Sequence, residues 1–435
     1  MSKNRIDPTI HLHTTQCKSI WIRILALILY TSPALIMGQN TDLETLTEQI
    51  IGYETLQELN HTIEILEQKL ALDSNNAKAS LLLAYAYTQQ TSSKGSSLHK
   101  FTFNTTHFEK INSLLRKAHK LEPGAQLPSL LGGANAEILL ASQWADLSLS
   151  YKINNKPDSA QWVLQQPGVK EDFSPFWLSV NRNKLQSCDS NSLLFVMGRN
   201  FYPFLYYIQE VEQIRTDVSV VDISHLIYYW YLNYLNTQIL PDPNWYSSDL
   251  DSLNYLPWTD TTLYIQNSQT QETFAWNMQP SYLDKYIIRD QIILLELVQF
   301  YAFKHPLYFS SFIDNASFLS LNTSCANKVW VKELNLQYNA NLHSETYTLF
   351  IENPLGSTLQ YYNPHIPLQH LMLDAVREEV IRKSGTEAAL GNAETATQIL
   401  KTLEKVMPIE TYPISAEFEH LTMLLQNISR YLKSE

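Results

Sequence analysis

The stretch from Ser187 to Tyr231 constrains the fold of this chain more than any other. It reads SCDSNSLLFVMGRNFYPFLYYIQEVEQIRTDVSVVDISHLIYYWY. Two short apolar, β-branched runs, 193–197 and 218–223, flank one segment of helical spacing, 202–213. A polar or glycine-containing turn closes each element. Strand, helix and strand in that order predict a βαβ unit, whose two strands pair in parallel and need a covering layer on both faces. A second helix is predicted over 226–235, and a third over 290–303, followed by a strand at 307–311. Further strands are predicted at 329–334 and 347–352, and a short one at 262–266 inside the polar, tryptophan- and tyrosine-rich excursion 240–279.

The flanks follow a different rhythm. Leu66 to Gln90 carries apolar residues at spacings of three and four, with alanines where two helices must approach closely. Asp73 and Ser74 end one helix there, and Asn75 and Asn76 begin the next. Phe108 to Gln126 repeats the pattern and ends on Leu-Glu-Pro-Gly, and Ala145 to Gln166 supplies a third hairpin. This is the pattern of tetratricopeptide-like repeats, which bury their faces by stacking and present an extended surface suited to peptides. The insert 91–106 interrupts the array and reads as a mobile loop. Three further amphipathic segments between Leu368 and Lys433 return to helix.

The predicted architecture is therefore mixed α and α/β. Tetratricopeptide-like helices occupy 39–170, a mainly parallel, Rossmann-like sheet domain 174–355, and a helical, repeat-like hairpin region 366–435. Before them, Lys18 and Arg23 precede the short apolar run Ile24 to Met37. A basic flank and a short apolar core are the pattern of an export signal over 1–38. Cleavage after Ala34 or after Gly38 suits it, and so does retention as an anchor helix starting near Ile20. Cys17 precedes the apolar core, which is the wrong side for a lipid-anchoring cysteine. Export implies an envelope or periplasmic address. No later run is apolar enough to span a membrane, because Arg289, Asp290 and Glu296 interrupt the best one.

Net charge is −12, which excludes a protein that tracks nucleic-acid phosphates. Beyond the leader two cysteines remain, Cys188 and Cys325, and an oxidising compartment permits a disulfide between them. No CxxC pair or neighbouring histidine pair points to zinc. Neither a metal nor a cofactor is expected.

The run LLFVMGRNFYPFLYYIQEVEQIRTDVSVVDIS also resembles a known family. It is similar to the soluble C-terminal region of bacterial GT-C-type membrane glycosyltransferases, relatives of the protein O-mannosyltransferases. The residues that carry the likeness are Gly198, Asn200, Leu205, Tyr207, Gln209, Glu210, Val211, Glu212, Arg215, Asp217, Val218, Val221 and Ser224. His305 to Ser311 and Lys405 to Ser415 resemble two later passages of that region. The resemblance implies the α/β fold and a link to protein glycosylation. Two departures matter. The family's catalytic membrane domain has no counterpart here. Its G-D-N-D-T turn reads Gly198-Arg199-Asn200-Phe201-Tyr202, so both carboxylates are gone.

Ligands of open α/β sheets sit beyond the carboxyl ends of the strands. That places Gly198, Arg199, Asn200 and Tyr202 after the first strand, and Asp222, Ser224 and His225 after the second, as candidate ligand-binding residues. A turn carrying Arg199 and Phe201 lacks the oxygen ligands a hard cation needs. Asp222 or Ser224 also suits a helix N-cap. Glu210, Glu212, Arg215 and Asp217 read as a structural corner, with Arg215 in reach of Glu212 along the helix and of Asp217 across the turn. Tyr206, Tyr207, Tyr228, Tyr229, Trp230, Tyr231 and Tyr234 form an aromatic zone that serves either as core or as a glycan platform. The functional expectation is a non-catalytic binding or scaffold protein with a protein partner on its helical repeats. The alternative is an accessory or degenerate member of a protein O-glycosylation system.

Overall fold

A computed structural model describes residues 42–434 apart from 94–98, 129–130, 132, 241, 243–253, 312, 314–317 and 337–350. The expected leader lies outside the described residues, as do residues 347–350 of the strand predicted at 347–352. Where that segment resumes, residues Ile351–Leu355 form a wide helical turn rather than a strand, with Pro354 inside it.

The N-terminal part is a run of helices: α1 (Leu43–Gly52), α2 (Leu56–Leu72), α3 (Ala77–Ser93), α4 (Phe108–Leu121), α5 (Ala136–Ile153) and α6 (Pro157–Leu164). Each packs on the next. Their starts follow from side chains that satisfy the first free backbone N–H groups. Asp42 accepts from Thr45 N–H at 2.8 Å, Asn135 from Ile138 N–H at 3.1 Å, and Thr55 with Glu58 forms a reciprocal capping box. Asp172 ties the far end of the layer together. It accepts two bonds from Arg116, at 2.9 and 2.6 Å, and one from the Trp144 indole at 2.7 Å.

The helix α7 (Pro175–Gln186) leads into the sheet. The strands β1 (Leu193–Val196) and β2 (Ser219–Asp222) are joined by α8 (Tyr202–Glu210). They pair in parallel, with Leu193 opposite Ser219 and Val196 opposite Asp222. After β2 come a one-turn 3₁₀ helix, Ile223–His225, and the short α9 (Tyr229–Tyr234), which widens into a π turn at Leu235–Ile239. The excursion carries two small antiparallel sheets, formed by β3 (Tyr255–Pro257) with β6 (Tyr286–Ile288) and by β4 (Thr261–Gln266) with β5 (Thr273–Met278). The helix α10 (Arg289–Tyr301) then returns the chain to β7 (Leu307–Ser310), which pairs in parallel with β1. The sheet ends with β8 (Cys325–Asn327) and β9 (Val331–Leu334), in the order β2-β1-β7-β9-β8.

The expected α/β sheet is present, with β2, β1 and β7 parallel to one another. The strand β9 runs antiparallel to both β7 and β8, so the sheet is mixed. The β8–β9 pair follows from its connection: only residues 328–330 join the two strands, and so short a link permits antiparallel pairing alone. The C-terminal part consists of a short α11 (Gly356–Leu359), then α12 (Pro367–Ala389), α13 (Ala393–Val406) and α14 (His420–Ser434). Among the described residues no helix is long and apolar enough to cross a membrane.

The permitted disulfide is absent. Cys188 and Cys325 are both free thiols, the first buried and the second half-buried. Burial pushes each thiol up to about 12, so both stay protonated at neutral pH.

Candidate functional site

The strand order creates a switch point. From β1 the chain moves to β2 on one side and later returns to β7 on the other. The crevice beyond the carboxyl ends of β1 and β7 is where an open α/β sheet holds its ligands. Gly198 opens the turn after β1 with φ of +88°, a left-handed backbone that costs glycine nothing. The next residues then decide the site. Phe201 is 4% exposed and Tyr202 5%. Phe201 lies against Trp177, with ring centroids 6.4 Å apart, and Lys184 Nζ sits 4.1 Å from its centroid. Trp330, fully buried, lies 6.0 Å from the same Lys184 Nζ, and its carbonyl accepts from Ser311 N–H at the end of β7. The crevice is filled by aromatic rings and the buried Lys184 side chain. Burial drives Lys184 well below the ordinary lysine range.

The candidate residues on the two turns meet at the rim. Gly198 N–H lies 3.5 Å from Asp222 Oδ1, a long contact that joins them. Asp222 is buried and acts as a cap: its Oδ1 accepts from Ser224 N–H at 2.9 Å and from Ser224 Oγ at 2.7 Å. Its own N–H donates to the Tyr231 phenol at 2.9 Å. His225 Nδ1 lies 3.3 Å from Asp222 Oδ2. The carboxylate therefore stands between serine and histidine. A nucleophile relay needs the base in that middle position, so this trio does not form one. Arg199 is exposed and Asn200 half-buried at the same rim.

Two residues here were not among the sequence candidates. Asp146 of α5 faces the turns, and burial raises its carboxyl pKa. Arg199 and His225 oppose that rise and Asp222 reinforces it. Tyr85 of α3 lies near enough to Arg199 to feel its charge. A lone carboxylate within the apolar run from Ile138 to Leu149 was the available signal. No trio of His, Cys, Asp or Glu among the described residues is arranged to hold a metal ion.

The four corner residues are all bonded, with one change of partner. The helix α8 stops at Glu210, so Glu212 and Arg215 do not share a helical face. Glu212 instead takes a bidentate bond from Arg182 of α7, at 2.6 and 2.5 Å. Glu210 pairs with Lys152 of α5. Arg215, in left-handed backbone at φ +50°, grips both oxygens of Asp217 at 2.9 and 3.0 Å. It also donates to the carbonyls of Leu185, Cys188 and Asp189. The Arg215 guanidinium holds the Asp217 carboxyl down at about 2, helped by Asn191 N–H. The folded value lies below the ordinary value of about 4. The stabilisation is thus present above pH about 4 and lost as pH falls towards 2. Asp217→Asn should therefore lose less of its urea midpoint than the parent between neutral pH and that acid range. Equal acid losses would mean that other carboxylates govern acid unfolding.

The aromatic zone is mostly interior. Tyr206, Tyr207, Trp230, Tyr231 and Tyr234 are buried, and Tyr228 and Tyr229 keep part of their surface. The insert expected to be mobile packs on this zone where it is described. The His99 ring stacks on Tyr229 at 4.2 Å, and Phe101 lies 4.6 Å from Trp230. Between insert, the end of α5 and α9 a cleft of about 390 Å³ stays open. A smaller one, of about 170 Å³, lies between α8 and the edge strand β2.

Fold and site define a mixed α and α/β protein whose strand-end crevice is closed by its own side chains. The TMEM260-associated domain 2 family matches residues 178–255, from within α7 to the start of β3. No curated protein and no solved structure matches the chain significantly.

Proposed function

We propose that the protein is an exported, non-catalytic binding module of the cell envelope, with its helical layer as the partner surface. The observation that carries this reading is the filled crevice. Phe201 and Tyr202 occupy the position where a ligand of the sheet would sit, and they are buried there. A reaction site needs a concave space with converging polar groups. At this switch point Ser224 takes up Asp222 Oδ1, and His225 Nδ1 lies 3.3 Å from Asp222 Oδ2 without a hydrogen bond among the described residues. The helical hairpins supply the extended surface on which repeat proteins bind partners.

A second reading rests on the match to the TMEM260-associated domain. It is compatible with the resemblance to protein O-mannosyltransferase-like proteins, and it favours an accessory role in protein O-glycosylation. One experiment separates the two. The tagged chain from Gln39 onward is recovered from detergent-solubilised envelope, and co-purifying proteins are identified by mass spectrometry. A membrane glycosyltransferase or a glycosylated client among the specific partners supports the accessory role. An unrelated envelope complex supports the scaffold reading. Recovery of nothing above an untagged control removes the partner surface altogether.

A further inference from the structure

The open cleft beside α9 has walls of unusual chemistry. Its lining includes Phe101, Asn154, Tyr229, Trp230, Asn233 and Asn236. Rings beside amides suggest two ligands at first sight, a sugar or a peptide. The ring geometry separates them. A sugar stacks its C–H face on a free aromatic face. Tyr229 has the His99 ring parallel to it at 4.2 Å and the Arg289 guanidinium at 4.1 Å. Two planar groups at that distance from one ring occupy its opposite faces, so neither face is free. Trp230 is enclosed by Phe101 at 4.6 Å, Tyr228 at 5.4 Å and the rings of His225 and Tyr231, both at 5.6 Å. Tyr229 and Trp230 therefore offer edges rather than free faces to the cleft.

Among the lining side chains, one buried donor and one buried acceptor have no partner among the described residues. Trp230 is 6% exposed, and its indole Nε1–H has no partner among the described residues. Asn236 Oδ1 is likewise shielded and unpaired among them. Buried polar groups are ordinarily satisfied, so each of these needs a reason. Asn236 also sits in the π turn Leu235–Ile239, a wide turn of the kind that often marks functional positions. A donor and an acceptor in the wall of one cleft complement the C=O and N–H of a peptide unit. The exposed stretch His99–Lys100 forms the outer wall. Among the described residues no carboxylate lines the cleft and Lys100 does, which favours neutral or acidic segments over basic ones.

We propose that this cleft receives an extended peptide segment of a partner protein, with one peptide unit held between Trp230 Nε1–H and Asn236 Oδ1. The inference rests on the binding-module reading and names the partner's chemistry. Main-chain recognition of this kind supplies affinity, and the neighbouring apolar edges select the side chain that fills the cleft.

The test begins with a phage-displayed random dodecapeptide library selected on the chain from Gln39 onward. The best peptide is then synthesised and titrated calorimetrically. Trp230→Phe keeps a ring but removes the donor, and should weaken binding about tenfold, the loss of one shielded hydrogen bond. Asn236→Ala, at a half-buried position, should do the same and serves if the tryptophan variant fails to fold. Methylating the central peptide nitrogen should weaken it similarly. Selected peptides that bind both variants as tightly as the parent overturn the cleft assignment and leave the binding-module reading standing. The cleft assignment alone also falls if no peptide is selected while the envelope pull-down recovers a partner, or if a panel of neutral oligosaccharides binds with Trp230 and Asn236 dependence in place of peptides. Failure of both selection and pull-down overturns the two readings together.

Discussion

Asp374→Ala is expected to destabilise the C-terminal helices by about 3–5 kcal/mol, the usual consequence of leaving one half of a buried ion pair alone. Asp374 and Arg377 stand three residues apart on α12, with side-chain exposures of 0% and 1%. Their contact is 2.5 Å. Each also holds the segment between α13 and α14. Asp374 Oδ2 accepts from Ser415 N–H at 2.8 Å, and Arg377 Nη2 donates to the Tyr412 carbonyl at 2.6 Å. Burial pulls the Arg377 guanidinium below its ordinary pKa, and the Asp374 carboxylate opposes that pull. Without the carboxylate the cation has no comparable counter-charge within bonding distance among the described residues. The double variant Asp374→Ala, Arg377→Met should recover most of the loss, because apolar replacements of a buried pair are often neutral. Urea midpoints at an unchanged m-value measure all three proteins. Strictly additive losses in the double variant would mean that the two side chains act independently.

Phe201→Ala should be nearly as damaging, at about 3–5 kcal/mol, the range for removing a buried phenylalanine. The ring fills the strand-end crevice against Trp177 and beneath Lys184 Nζ. Its removal leaves a cavity and admits water to a buried amine. That carries a second signature. Lys184 has a folded pKa well below the ordinary value, so the unfolded chain binds the extra proton and stability rises with pH through that interval. Relief of the burial in Phe201→Ala should flatten that alkaline rise. Urea unfolding followed from neutral to alkaline pH reads both effects. A variant as stable as the parent would show that the ring is a spare part of an open site, and the case for a filled crevice would collapse.

Much of the fold could be read from local patterns, because local patterns report on local forces. The alternation of apolar runs and helical spacing between Leu193 and Asp222 placed β1, α8 and β2 within a few residues of their observed ends. The short strand predicted at 262–266 is β4. Boundaries failed where packing overrode pattern. The helix expected to run through Gln213 stops at Glu210, because Gln213 and Arg215 take left-handed backbone to turn into β2. The helix expected from Leu226 starts only at Tyr229 and widens into the π turn from Leu235.

The site was less legible. Its two turns were predicted from the strand ends, but their partners lie far away in the chain. Asp146 comes from α5 and Trp330 from the approach to β9. Glu212 reaches Arg182, thirty positions earlier. Spacing carries no information about such meetings.

By itself the sequence determined the helical flanks, the βαβ unit and a turn after β1 that carries no carboxylate. These follow from side-chain periodicity, backbone preference and residue identity, which are properties of a chain segment alone. Only the tertiary structure decided that β9 runs antiparallel, that Cys188 and Cys325 stay apart as thiols, that Phe201 closes the crevice, and that the insert lies on α9 to leave a cleft. Those outcomes depend on which surfaces meet when the layers pack. That choice is made by burial and hydrogen-bond satisfaction across residues distant in sequence.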